Sequence, residues 1–119
     1  MVIMHKNVNI DRKNFLQMLK ENDGILIFKF GAGWCKPCHV AEPFINARIE
    51  CFDDSVNYYE LDVDQSFDLY AYLQSKKMVN GIPAILAYSK ENTSFVSDCC
   101  VMGANQKEIN AFFDKVAML

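Results

Sequence analysis

The feature that most constrains this chain is a change of hydrophobic pattern between residues 25 and 51. Residues 25–30 read Ile-Leu-Ile-Phe-Lys-Phe, a short apolar run that is typical of a strand covered on both faces. The apolar residues that follow recur at the spacing of one helix face: Val40, Phe44, Ala47 and Cys51. The sequence therefore predicts a central strand that leads directly into a helix.

Two cysteines, Cys35 and Cys38, stand at the junction of this strand and helix. Such a Cys-x-x-Cys pair can be half of a zinc site, a redox pair, or two unrelated cysteines. Zinc takes about four ligands, and the remaining candidates include no second pair with ligand spacing: Cys51, Cys99, Cys100, His5 and His39. The preceding strand and the proline between the thiols favour the redox pair.

The position of the pair indicates a separate task for each thiol. Cys35 is expected at the helix N-terminus, where free N–H groups and the helix dipole favour a thiolate. Cys38 is expected one turn inside the helix, less exposed, and close enough to attack a disulfide formed on Cys35. We therefore interpret Cys35 as the nucleophile and Cys38 as the resolving thiol.

The residues around the pair resemble the active-site motif of the thioredoxin family. Residues 34–38, Trp-Cys-Lys-Pro-Cys, are similar to the family's Trp-Cys-Gly-Pro-Cys, with Lys36 in place of glycine. Pro43 matches the family's helix-kinking proline, and residues 81–83, Gly-Ile-Pro, resemble the motif that carries its cis-proline. Gly103 resembles the glycine after the family's last strand, so the resemblance extends over nearly the whole chain.

This resemblance implies an α/β protein with the thioredoxin fold, in which a mixed central sheet of four or five strands lies between helices on both faces. A single thioredoxin-like domain is expected over residues 1–119. The implied activity is that of a protein-disulfide reductase, a thiol-disulfide oxidoreductase that uses Cys35 and Cys38 and no cofactor. The implied partners are disulfide-containing client proteins and an electron donor similar to thioredoxin reductase.

The resemblance also implies an apolar groove beside Cys35 that binds the client as an extended segment. Its expected residues are Trp34, Val63, Gly81, Ile82, Pro83, Met102 and Gly103. The bond between Ile82 and Pro83 is expected to be cis, which leaves the Ile82 backbone free to pair with a client strand. Val63 and Met102 can equally be ordinary core residues.

Three charged residues are expected to tune the site. Lys36 adds a positive charge beside Cys35, or is simply a solvated residue. Lys29 stands where the family has a buried acid, and Glu60 stands where the family has a lysine. We expect these two on adjacent strands with their charges near Cys38, because a buried lysine without a partner is costly. Alternatively, Lys29 extends to solvent and pairs with nothing. His39 is a further cation near the site, or an exposed helix residue.

The remaining patterns predict the element order β-α-β-α-β-α-β-β-α. Val8 and Ile10 are interpreted as a short edge strand, and Asp11 as the N-cap of the first helix. Gly24 is expected to have a positive φ after that helix. Residues 93–102 are expected to form the last strand, in antiparallel pairing with the one before it.

The same patterns give expectations for the last helix and for the other cysteines. Asn105 is expected to cap the last helix, whose buried face would be Ile109, Phe112, Phe113 and Val116. Cys99 and Cys100 are expected to point to opposite faces of a strand as free thiols, in preference to a vicinal disulfide. Cys51 is expected in the core at a helix end.

Charge and composition narrow the class of function. The net charge of −3 over 119 residues gives no broad basic surface for nucleic acid or anionic lipid. The first ten residues do not resemble a signal peptide, and no run is long enough to span a membrane. Five cysteines without an export signal indicate reduced thiols, so we expect a cytoplasmic protein. We also expect a monomer. A disulfide oxidase or isomerase, and a binding subunit without redox turnover, remain alternatives.

Overall fold

The computed structural model describes residues 1–119. Its strands are β1 (Ile3–His5), β2 (Ile25–Gly31), β3 (Val56–Asp62), β4 (Ala84–Tyr88) and β5 (Cys99–Met102). Its helices are α1 (Arg12–Glu21), α2 (Lys36–Ile49), α3 (Phe67–Ser75) and α4 (Gln106–Val116). This is the predicted order of elements. No helix is long and apolar enough to cross a membrane.

The five strands form one mixed sheet in the order β1-β3-β2-β4-β5. Strand β2 is central: it pairs in parallel with β3 on one edge and in antiparallel fashion with β4 on the other. All of its residues after Ile25 are buried, which explains why its sequence is a continuous apolar run instead of an alternating one. The predicted mixed sheet with a central second strand is confirmed.

Helices cover both faces of the sheet. On one face, α1 and α3 pack against alternate residues of the strands, including Phe28, Phe30 and Leu61. On the other face, α2 and α4 pack against the intervening residues, including Ile27 and Tyr58. Because side chains alternate along a strand, one buried strand serves both cores. The predicted layer of helices on each face is confirmed.

The helix caps follow the sequence closely. The Asp11 side chain accepts a hydrogen bond of 2.8 Å from the backbone N–H of Asn14, so it caps α1 as predicted. The Asn105 side chain likewise accepts one of 3.0 Å from the N–H of Glu108 at the start of α4. The four apolar residues predicted for the inner face of α4 are all buried.

The predictions for both edge strands were wrong in position. The first strand is Ile3–His5, which pairs in parallel with β3, whereas Val8 and Ile10 pack beside α1 and α3. The backbone N–H of Ile10 bonds to the Ser66 hydroxyl instead of to a neighbouring strand.

The last strand contains only Cys99–Met102. The residues before it form a loop, because the Asp98 carboxylate accepts hydrogen bonds from this loop's own backbone and side chains.

The predicted buried face of α2 was also wrong. The residues that face the sheet are Cys38, Ala41, Ile45 and Ile49. Val40 is 50% exposed, and Cys51 lies beyond the end of the helix and is exposed rather than in the core. The apolar residues of α2 are not confined to one face, so the spacing rule alone selected the wrong set.

Gly24 is needed for a different reason from the predicted one. The residues with positive φ in this chain do not include Gly24. Instead, a Cβ atom at this position would overlap the backbone carbonyl oxygen of Ser55, which accepts a hydrogen bond from the N–H of Ile25. Glycine is therefore required where the turn before β2 passes close to the start of β3.

We predict that Gly24→Ala lowers the free energy of unfolding by roughly 1–3 kcal/mol, because the backbone has to move to relieve the overlap. Denaturant unfolding measures the change. The matched control is Gly33→Ala, since a Cβ at Gly33 would meet no atom within 4 Å. Equal stability of the two variants would contradict this account of Gly24.

Candidate active site

Cys35 and Cys38 meet at the start of α2 and are joined by a disulfide bond, with Cα atoms 5.3 Å apart. Cys35 is the N-cap residue, and its sulfur accepts a hydrogen bond of 3.2 Å from the backbone N–H of Cys38. The Cys35 sulfur therefore lies at the N-terminus of a helix, where N–H groups and the dipole stabilise negative charge. Both cysteines are 4% exposed in this oxidised form, so the expected difference in exposure is not seen here.

The loop before β4 lies against this disulfide. The Ile82-Pro83 peptide bond is cis, as the resemblance implies, and Pro83 is buried. The carbonyl oxygen of Ile82 lies 3.9 Å from the Cys35 sulfur. The carbonyl of Pro83 accepts a hydrogen bond of 2.9 Å from the N–H of Gly103, which brings the end of β5 to the same place. The backbone beside Cys35 is thus formed by two segments that are distant in sequence.

Most of the predicted groove residues are at the surface around this loop. Trp34 is 70% exposed, and its indole N–H donates a hydrogen bond of 3.0 Å to the Asp64 carboxylate. Met102 and Gly81 are exposed, while Ile82 and Gly103 are partly buried. Val63 is different, because it packs in the core on the side of α1 and α3. Its alternative interpretation as a core residue fits the structure better than a role in the groove.

Two residues near the site, Asp64 and Tyr70, were not identified from the sequence. The Asp64 carboxylate accepts the hydrogen bond from the Trp34 indole. The hydroxyl of Tyr70 forms hydrogen bonds with both polar groups of the Gly81 backbone. The sequence gave no indication of this role for Tyr70, since no local pattern indicates a contact eleven residues away.

A cavity of about 280 Å³ opens behind the disulfide, on the side away from the loop of Pro83. The side chains around it are mainly polar and charged, and they include Lys6, Lys29, Glu42, Glu60 and Asp62 together with the sulfur-bearing Cys38. Solvent and mobile protons thus have a polar route toward Cys38 that does not pass Cys35.

Lys29 and Glu60 lie directly opposite each other on β2 and β3. Their side chains project to the same face of the sheet and line the same cavity, but no ion pair joins them. Lys29 is only 6% exposed. A Cβ atom placed on Gly31 would lie 3.4 Å from the Cys38 sulfur and 3.7 Å from Cε of Lys29. The lysine stem and this sulfur therefore both border the space beside Gly31.

Lys36 and His39, both near the start of α2, are at the surface. Lys36 is exposed at the first position of the helix and forms no ion pair. The Nε2 atom of His39 lies 2.8 Å from the carbonyl oxygen of Gly33, and Nδ1 lies 4.0 Å from the Glu42 carboxylate. His39 thus fastens the loop that precedes the cysteines to the helix that follows them, in an exposed position.

The other three cysteines are free thiols. Cys99 is buried and Cys100 is exposed, as expected for neighbours in a strand. Burial raises the pKa of the Cys99 thiol, and the nearby Asp98 carboxylate adds to this effect. The structure contains no group of three or more His, Cys, Asp or Glu side chains that could hold a metal ion.

Comparison with known proteins places this geometry in a family. The model of the family described as Thioredoxin matches residues 6–115. Thioredoxin 3 of Plasmodium falciparum is 34% identical over 99 residues, which are 82% of this chain and 51% of that protein. The chain thus spans about half the length of that relative. Thioredoxin-2 of Saccharomyces cerevisiae is 32% identical over 93 residues, which are 76% of this chain and 79% of that protein.

Solved structures agree on the fold. The thioredoxin of Trichomonas vaginalis superposes with a TM-score of 0.70 at 23% identity, covering 97% of this chain and 96% of that one. The oxidised thioredoxin of Plasmodium falciparum superposes with a TM-score of 0.65 at 21% identity, covering 98% and 99%. The architecture is therefore the thioredoxin fold. Together with the match over residues 6–115, this means that the chain belongs to the thioredoxin family.

Proposed function

We propose that this chain is a thiol-disulfide oxidoreductase that reduces disulfide bonds in client proteins. The observation that carries the proposal is the Cys35-Cys38 pair, which is bonded at the N-terminus of α2 with the backbone carbonyl of Ile82 beside it. Membership of the thioredoxin family supports the same activity. In this proposal residues 1–119 act as one domain, and the dithiol itself carries the electrons without a further cofactor.

The reaction begins from the reduced protein. The Cys35 thiolate attacks one sulfur of the client disulfide, the client S–S bond breaks, and the sulfur that leaves takes up a proton. Cys38 then gives up its proton and attacks the Cys35 sulfur of the mixed disulfide. The second client sulfur leaves and is protonated. The client gains two electrons and two protons, and the protein ends with the Cys35-Cys38 disulfide.

The groove positions the client for this attack. An extended client segment would pair with the backbone of Ile82, next to the Cys35 sulfur, and its side chains would contact Trp34 and Met102. Gly81 and Gly103 carry no side chains, which leaves room for the backbone of the client. Val63 would not contact the client, because it is part of the core that supports this surface.

Lys29 and Glu60 would act on the second step, because both line the cavity that reaches Cys38. The ammonium group of Lys29 would favour the Cys38 thiolate, since an opposite charge in a partly buried site stabilises the charged form. Glu60, or water in the cavity, would accept the proton that Cys38 releases. In this arrangement Lys29 on β2 stabilises the Cys38 thiolate, and Glu60 on the neighbouring strand β3 accepts the proton.

Electrons return to the oxidised protein from a donor similar to thioredoxin reductase, which supplies two electrons per cycle. We propose a cytoplasmic location and a monomer. The lack of a broad basic surface is consistent with protein clients rather than nucleic acid or membrane. Cell fractionation tests the cytoplasmic location, and light scattering of the purified protein tests the monomer.

A disulfide oxidase or isomerase is the second candidate, and Lys36 is the observation that favours it. Its charge is exposed on the residue next to Cys35, and a cation there stabilises the reduced form and makes the couple more oxidising. The reduction potential separates the two candidates. A potential near that of general thioredoxins, about −270 mV, supports the reductase, and one near −120 to −180 mV supports the oxidase or isomerase.

We predict that limited alkylation of the reduced protein at neutral pH labels Cys35 before Cys38, because Cys35 is at the helix N-terminus. Mass spectrometry of peptides at short times gives the order. Cys99 is the internal control: it should remain unlabelled, because burial raises its pKa and restricts access. Earlier labelling of Cys38 than of Cys35 would reverse the two assigned roles.

Reduction of insulin in the presence of dithiothreitol tests turnover. We predict that Cys35→Ser and Cys38→Ser each abolish multiple turnover, because each removes one partner of the exchange. Cys38→Ser should also accumulate a mixed disulfide with the client, visible on non-reducing gels. The matched control is Cys100→Ser, which removes an exposed thiol on β5 and should leave turnover unchanged. Turnover by the double serine variant would exclude this mechanism, and inactive wild-type protein would favour a binding subunit.

A double-mutant cycle with Lys29→Met and Glu60→Gln tests their proposed role. Because no ion pair joins the two residues, their coupling in the free energy of unfolding should stay below about 1 kcal/mol. Each variant should slow turnover several-fold, and the two effects should be non-additive because both act through the Cys38 thiol. Purely additive effects on turnover would contradict the assignment of a shared role.

A further inference from the structure

The hydroxyl of Tyr70 makes two hydrogen bonds to one residue of the loop beside the disulfide. It donates to the carbonyl oxygen of Gly81 at 3.1 Å and accepts from the N–H of the same residue at 3.0 Å. Its ring packs edge-on against Phe30 of the central strand, with ring centroids 5.6 Å apart. The hydroxyl thus connects a side chain anchored on the core to a backbone that lies at the surface.

The backbone around Gly81 has few other constraints. Gly81 is exposed, has a φ of +117°, and lies outside the strands and helices. Apart from its two chain neighbours, no heavy atom lies within 4 Å of a Cβ placed at Gly81, so packing does not fix this residue. The neighbouring N–H of Asn80 contacts the sulfur of Met102 at 3.1 Å, which is a weak acceptor. Tyr70 therefore supplies the main directional restraint on the Gly81 peptide groups.

This restraint matters because the next residue presents its backbone at the site. The carbonyl oxygen of Ile82 lies 3.9 Å from the Cys35 sulfur. A small rotation of the Gly81 backbone would turn the Ile82 peptide away from a client strand, and glycine permits such rotation more readily than any other residue. Holding the loop in one conformation before the client arrives lowers the ordering cost of binding.

We propose that Tyr70 is a positioning residue for client recognition, whose hydroxyl holds Gly81 so that the Ile82 backbone is ready to pair with an extended protein segment. The inference rests on the proposed reductase function and extends it to client selectivity. A protein disulfide, which binds through its backbone, depends on this restraint. A small aromatic disulfide, which reacts without strand pairing, does not.

Tyr70→Phe is the variant that tests this proposal, because it removes the hydroxyl and keeps the ring against Phe30. The matched control is Tyr72→Phe on the same helix, whose hydroxyl forms no hydrogen bond within the chain and whose ring packs on Phe95. For each reduced protein, rate constants are measured with insulin and with dithiobis-nitrobenzoate. The readout is the ratio of the two rate constants, which a general loss of stability would not change.

We expect Tyr70→Phe to lower the insulin rate constant about three- to ten-fold, the range that corresponds to the loss of a hydrogen bond. The rate with the small disulfide should stay within about two-fold, and Tyr72→Phe should match the wild type in both. Hydrogen exchange provides a second measurement: the Gly81 amide should exchange faster in Tyr70→Phe and at the wild-type rate in Tyr72→Phe.

The outcomes separate this inference from the function on which it rests. An unchanged ratio of rate constants in Tyr70→Phe, or unchanged exchange at Gly81, overturns the positioning role alone. An equal fall in both rate constants indicates a general structural role and also overturns it. Wild-type protein that reduces the small disulfide but not insulin contradicts the proposed function itself, and the positioning role falls with it.

Discussion

The burial of one strand on both faces determines most of what this structure can do. Strand β2 contributes side chains to both cores and pairs with a neighbour on each edge, so its position is fixed from four directions. It ends at Gly31, and the chain then turns into α2 within a few residues. A rigid strand joined by a short loop to a helix N-terminus fixes where the two cysteines lie.

The same burial makes the charge on β2 unusual. Lys29 is buried between the sheet and α2. Its side chain lines a cavity that is also lined by the Glu60 carboxylate and by Cys38. A buried ammonium group usually requires a close partner or access to water. Here the cavity provides access to water, so the pair of opposite charges on neighbouring strands can persist without direct contact.

The sequence predicted the elements that depend on local pattern and missed those that depend on contacts across the fold. Three features could be predicted because each is encoded within a few residues: the buried run of β2, the caps at Asp11 and Asn105, and the inner face of α4. The first strand was misplaced because pairing with β3, not local alternation, selects Ile3–His5. The inner face of α2 was misassigned because its apolar residues do not form a single stripe.

The residues of the site likewise separate into those encoded by a local motif and those that depend on contacts across the fold. The cysteine pair and the proline loop are encoded by short motifs and could be identified from the sequence. The Tyr70 contact and the hydrogen bond between Trp34 and Asp64 join segments that only the fold brings together, so no local signal revealed them. The sequence left open whether Lys29 pairs with Glu60 or with nothing, since strand register fixes Cα positions but not the directions of long side chains.

The environment of Trp34 has a consequence for spectroscopy. It is the chain's single tryptophan, it is mostly exposed, and it lies next to the disulfide instead of in either core. Its fluorescence will therefore report the redox state of the neighbouring sulfurs and the approach of another molecule, and will respond only indirectly to the loss of core packing. The two most deeply buried tyrosines, Tyr58 and Tyr88, are the natural optical reporters of the folded interior.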